Sequence, residues 1–184
     1  MNSIVIPKKG NTTSIYIMAR VGSRHENANV KGISHFIEHL MFKGTDTRNA
    51  KDISLGIEKY GGDLNAFTSE EVTAYKATVA TRYAEPVEEI LLDMVLNSKF
   101  DQKEIDKERH VVLQEIKMYD DDPNTVAYMT LIRNVFKNHP IRNDILGTEA
   151  SIKEITVDIL NKVPIPMKIA ARYSDLLDLY LKYL

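Results

Sequence analysis

The sequence predicts an α+β fold, a mixed or antiparallel sheet covered by helices on one face, and three observations carry that reading. Ser14 to Val21 (SIYIMARV) is β-rich and mostly apolar. Asp63 to Ser69 and Val72 to Ala80 also have β character and are joined by the short acidic turn Glu70-Glu71. From Thr81 to Phe136, by contrast, apolar residues recur at helical spacing in three successive segments.

Taken in order, the first strand follows a turn at Gly10 to Thr13 and leaves the sheet through the polar loop Val21 to Glu26. A helix is expected from Ile33, with Gly32 and Ser34 able to start it and Gly44 suited to stop it. A second helix, Asn49 to Tyr60, carries Ile53, Ile57 and Tyr60 and ends at Gly61-Gly62. After the two strands comes a helix over Thr81 to Ser98, with Pro86 near its start and a stripe of Val87, Ile90, Leu91, Met94 and Val95. Asp101 caps the next helix, Gln102 to Tyr119, and a further one runs from about Asn124 to Phe136. Asn138 to Thr148 is a polar loop, a short helix follows from Glu149, and Pro164 and Pro166 break the chain before Met167. From Ile169 to Leu184 the spacing is that of a strongly amphipathic helix, serving either this chain's own core or an oligomer interface.

With 184 residues, 43% of them apolar and 27% charged, the chain has the size and composition of one globular domain with a full core. A net charge of −2 gives no electrostatic case for nucleic acid or an anionic membrane, and no apolar run reaches the length of a membrane span. The N-terminus lacks the apolar core of a signal peptide, so a cytoplasmic location is expected. There is no cysteine, so a zinc site would have to be built from histidine and carboxylate.

The chemistry gathers at Ile33 to Thr45, ISHFIEHLMFKGT. On a helix, His35 and His39 stand at i and i+4 and project from one face, so their two nitrogens can hold one Zn²⁺. Glu38 reaches the edge of that face without aiming at the metal, which suits a general base better than a ligand. The order His-x-x-Glu-His is that of the inverted zincins. Polar ligands on an otherwise apolar helix are costly unless a metal or hydrogen bonds compensate. Further on, Glu108 and Glu115 lie seven apart on nearly one face of their helix, and Glu115 is embedded in the apolar VVLQEI, where a solvated charge ladder does not explain it. His25 falls outside the helical spacing and reads as a loop residue. His139, before Pro140, reads as extended and exposed.

These stretches together resemble the pitrilysin and mitochondrial processing peptidase family of inverted zincin metallopeptidases. VGSRHE, GISHFIEHLMFKGT, GGDLNAFTSEEVTAY, ERHVVLQEIKMYDDDP and HPIRNDILGTEASI occur in the family's order from Gly22 to Ile155. The resemblance implies the fold of the family's N-terminal catalytic domain, with His35, His39 and Glu115 as zinc ligands and the first helix packed against the one bearing Glu115. It implies Glu38 as the residue that activates water, with Glu108 as a supporting carboxylate beside it in the catalytic set. The DLNAFTS segment resembles the family's edge strand, on which Asn65 and Ala66 hold the backbone of a peptide substrate.

Family subunits usually hold two homologous halves, and this chain matches only the first. Residues 1–155 are read as the zinc peptidase domain and 156–184 as a divergent tail. Two functions follow as expectations. One is a zinc endopeptidase for short or unfolded peptides, acting alone or with a homo-oligomeric or separate partner subunit that supplies the second half. The other is a zinc-binding but catalytically incomplete subunit or fragment that needs a partner half, or a peptide-binding module. The undamaged motif favours the enzyme.

Overall fold

The structure, a computed structural model of the chain, describes residues 4–162. The amphipathic segment from Met167 to Leu184 therefore lies outside the described residues. Three strands form one antiparallel sheet: β1 (Thr12–Ala19), β2 (Asp63–Thr68) and β3 (Thr73–Ala80), in the order β1-β3-β2. Alternation explains how the sheet faces. Ile17 pairs with Tyr75 and Tyr75 with Ala66, and these residues, with Ile15, Ala77, Val79 and Leu64, turn toward the helices. Tyr16, Met18 and Phe67 alternate to the other face and stay exposed.

The helices are α1 (Ile33–Met41), α2 (Ala50–Glu58), α3 (Ala84–Leu96), α4 (Gln102–Asp120), α5 (Pro123–Val135), α6 (Glu149–Glu154) and α7 (Val157–Lys162). Capping decides where several of them begin. Asn49 and Asp52 satisfy each other's backbone N–H groups at the start of α2, at 3.0 Å each. Asp101 accepts from the Lys103 N–H at 2.8 Å to start α4, and Asp122 from the Thr125 N–H at 2.9 Å to start α5.

α3 lies on the inner face of the sheet and buries its whole predicted stripe. α1 packs against β2 on one side and α4 on the other, and its Phe36, Leu40 and Met41 are fully buried in the shared core. α6 is tied to α4 by Arg109, whose guanidinium donates to the Ile152 carbonyl at 2.7 Å and the Ile155 carbonyl at 3.0 Å.

The boundaries differ from the sequence reading at three places. α1 ends at Met41, not at Gly44: Lys43 N–H turns back to the Leu40 carbonyl, and Gly44 bridges to Asn49 in the next turn. Thr81–Tyr83 is a 3-10 turn that precedes α3 rather than its first turn. The short helix expected from Glu149 is two helices, α6 and α7, and α7 sets Leu160 into the core.

α5 stands apart because it buries none of its residues. Truncation should register that contrast. We expect Leu91→Ala, in the core, to lose about 2–5 kcal/mol in urea denaturation. Leu131→Ala, on a side chain 60% exposed, should stay within about 0.5 kcal/mol of the parent.

Candidate metal centre

Burying the apolar flank of α1 turns its other flank toward α4, and His35 and His39 meet Glu115 there. Nε2 of His35 lies 3.7 Å and Nε2 of His39 3.5 Å from the same carboxylate oxygen, Oε2 of Glu115. Among the described residues these three form the group of histidine and carboxylate side chains that could hold a metal ion, their ligand atoms all within 4.8 Å of one another. Two imidazoles and one carboxylate fit the donor set of a zinc site with room for a further ligand.

Glu108 lies two turns before Glu115 on α4 and approaches His39 from behind. Its Oε2 is 3.1 Å from His39 Nδ1, and its Oε1 is 2.8 Å from Lys43 Nζ. A carboxylate facing Nδ1 favours that nitrogen as the donor, which leaves Nε2, on the side of Glu115, as the atom able to ligate. His35 Nδ1 is buried without a hydrogen-bond partner. Burial first, and the neighbouring His39 second, pull the His35 pKa down to about 4, so the ring is neutral at ordinary pH. Neutral imidazole is the form that ligates.

Glu38 accepts a hydrogen bond from the Thr68 hydroxyl at the end of β2. Burial pushes its carboxyl upward, Thr68 and His39 oppose that, and Glu115 adds to it. Tyr75, on the central strand, has a buried hydroxyl with no partner. Burial and the nearby Glu38 push that hydroxyl well above its ordinary value.

Asn65 and Ala66 sit on β2, whose outer edge is unpaired among the described residues. The Ala66 N–H meets the side-chain carbonyl of Asn65 at 2.8 Å. Both precede Thr68 on one short strand, so the sheet edge and the Glu38 carboxylate are neighbours by construction. His25 stays out of the cluster, its Nδ1 accepting from the Gly22 N–H at 3.3 Å, and His139 is exposed.

Sequence reasoning missed Thr68 and Lys43. Thr68 could have been found from the period of the strand, which puts it on the face of Leu64 and Ala66. Lys43 gave no such signal, since it lies beyond the end of the helix.

The chain matches the family model Insulinase (Peptidase family M16) over residues 4–149. An uncharacterized zinc protease of Bacillus subtilis, YmxG, is 39% identical over 165 residues, covering 88% of this chain and 40% of that protein. A protease from Helicobacter pylori superposes with a TM-score of 0.80 at 26% identity, covering 85% of this chain and 38% of that one. The inactive M16 domain from Pseudomonas fluorescens superposes at 0.75 with 17% identity, over 83% of this chain and 37% of that one. The fold and the cluster that could hold a metal ion agree with that family match. The chain belongs to the M16 peptidase family, that of insulinase, and spans about two fifths of the length of the Bacillus relative.

The acid behaviour of the centre follows from His35. Between its ordinary 6.5 and about 4 the unfolded chain binds a proton that the folded chain refuses, so stability falls as pH drops through that window and levels off below it. Glu26 and Glu38, both raised by burial, contribute with the opposite sign. We expect His35 alone to remove about 3 kcal/mol from the chelator-treated chain. Urea denaturation across the window checks this, with His35→Gln giving a flatter profile.

Proposed function

We propose that this chain is a zinc endopeptidase that cleaves short or unfolded peptides. The observation that carries the reading is the convergence of His35, His39 and Glu115 on one point, with the Glu38 carboxylate beside them and an open strand edge next to it. His35, His39 and Glu115 would hold Zn²⁺. Zinc, when bound, supplies Lewis-acid chemistry, acidifying a water and polarising the carbonyl of the peptide bond.

The remaining work falls to the chain's own residues. β2 takes the substrate as an added strand, with Asn65 and Ala66 meeting its backbone, so affinity comes from main-chain hydrogen bonds and side-chain preference is loose. Glu38 receives the water's proton on its carboxylate and passes it to the departing amine. Glu108 acts through His39, fixing its ring and leaving Nε2 free.

Length favours a second reading. The chain covers 40% of its Bacillus relative and 38% of the Helicobacter protease, and an M16 domain described as inactive has the same fold. In that reading the chain is a zinc-binding but catalytically incomplete subunit or fragment that needs a partner half, or it serves as a peptide-binding module. The intact His35, Glu38, His39 and Glu115 support the enzyme.

An internally quenched peptide library incubated with the zinc-loaded chain separates the two. We expect Glu38→Gln to retain zinc and lose activity by about 10²–10⁴-fold. His35→Ala and Glu115→Ala should lose zinc as well. Glu38→Gln protein without zinc would contradict the assigned roles, and a folded, zinc-loaded parent that cleaves nothing would mean that the site is built but incomplete, as the second reading has it.

A further inference from the structure

The motifs VGSRHE and HPIRNDILGT take no part in the chemistry above, yet both converge on the N-terminus of α1. The residue at the N-cap of that helix is Gly32, which has no side chain to cap it. Glu26 supplies the cap from the preceding loop. One carboxylate oxygen accepts from the Gly32 N–H at 2.6 Å and the other from the Ser34 N–H at 2.8 Å. Charge-assisted bonds of this kind are the strong ones, and they sit at the positive end of the helix dipole.

The loop carrying Glu26 is itself held. Ser23 N–H donates to the Ser69 carbonyl at 3.2 Å and Arg24 N–H to the Glu70 carbonyl at 3.0 Å, which ties the loop to the β2–β3 turn. Ser23 and Asn143 exchange side-chain-to-carbonyl hydrogen bonds, both 3.2 Å, which ties it to the loop before α6. That second loop then closes on the helix start. A Cβ on Gly32, at φ +83°, would stand 2.4 Å from the Leu146 carbonyl oxygen, and one on Gly147, at φ +76°, 2.4 Å from that of Lys31. The two backbones touch, and glycine is what lets them.

We propose that Glu26 is a positioning residue for the metal centre, a two-toothed cap that sets the axial position of α1 and thereby the places of His35 and His39. It rests on the reading of the cluster as a zinc site. Ser34 is adjacent to His35 in sequence, so a carboxylate fixed on its N–H acts at the first turn of the helix, where His35 stands. Glu26 touches no reacting atom.

The test is the zinc dissociation constant of the full 184-residue chain, measured by competition with a chromogenic chelator. The controls are Glu26→Ala, Glu26→Gln and Asp122→Ala. Asp122 caps α5, which carries none of the three ligands, so its loss lowers stability through a cap without touching the centre. We expect Glu26→Ala to weaken zinc binding roughly 10- to 100-fold, as loss of an orienting partner does elsewhere, and Glu26→Gln, which keeps one acceptor oxygen, by about threefold or more. Asp122→Ala should bind as the parent does. The amides of Gly32 and Ser34 should also exchange faster in both Glu26 variants.

A parental dissociation constant in Glu26→Ala, or in Glu26→Gln where the alanine variant does not fold, overturns the proposal. So does an equal loss in Asp122→Ala, which would make the effect one of general stability. A folded parent chain that takes up no zinc overturns the metal-centre reading itself, and the positioning role with it.

Discussion

The burial of one flank of α1 is the constraint from which the rest of the centre follows. Phe36, Ile37, Leu40 and Met41 are sealed into the core, so the helix has no freedom to roll. His35 and His39 are left facing α4 because the apolar face is already committed. α4 meets them with Ile105, Val112 and Ile116 buried and Glu108 and Glu115 on the shared seam. Apolar packing sets the distance between the helices, and that distance brings a carboxylate oxygen within 4 Å of two imidazole nitrogens. The polar cluster is held by its surroundings, not by its own attractions.

Its electrostatics show a division of labour between two carboxylates seven residues apart. Glu108 is buried and has both oxygens occupied, one by Lys43 and the other by His39. Glu115 is more exposed and faces only the two histidines in the cluster. The first is satisfied within the protein. The second presents an acceptor oxygen together with two imidazole nitrogens, an arrangement that a divalent cation completes far better than protein groups do. Glu38 belongs to neither class, since its hydrogen bond comes from the sheet through Thr68.

Much of this was legible from local chemistry. The i, i+4 spacing of His35 and His39, the Asp101 cap and the β character of the segment that forms β3 are short-range patterns, and each appears where the sequence placed it. Glu115 could be singled out because a carboxylate in an apolar run needs a partner, but the partner was named only through family resemblance. What could not be read were contacts made by the fold alone. Thr68 with Glu38, Lys43 with Glu108 and Arg109 with the Ile152 carbonyl join residues dozens of positions apart, and no periodicity encodes them. α7 escaped for another reason. Six residues with one buried leucine are too short to show a helical period.

The bare helix α5 shows how unevenly buried support is spread over the described residues. Thirteen residues is near the length at which an isolated helix is marginal in water, and most helical stability in proteins comes from a packed face. α5 has its Asp122 cap, the first-turn Pro123 and an ion pair from Arg133 to Asp144 at 3.1 Å, but no buried side chain. It is therefore the described α-helix with the least buried support. The joint at Asp121 and Asp122 follows Glu115 by more than a turn, so α5 carries none of the ligand cluster. Among the described residues a seam built on buried side chains thus carries the metal centre, and beside it stands a helix held by its cap and one ion pair.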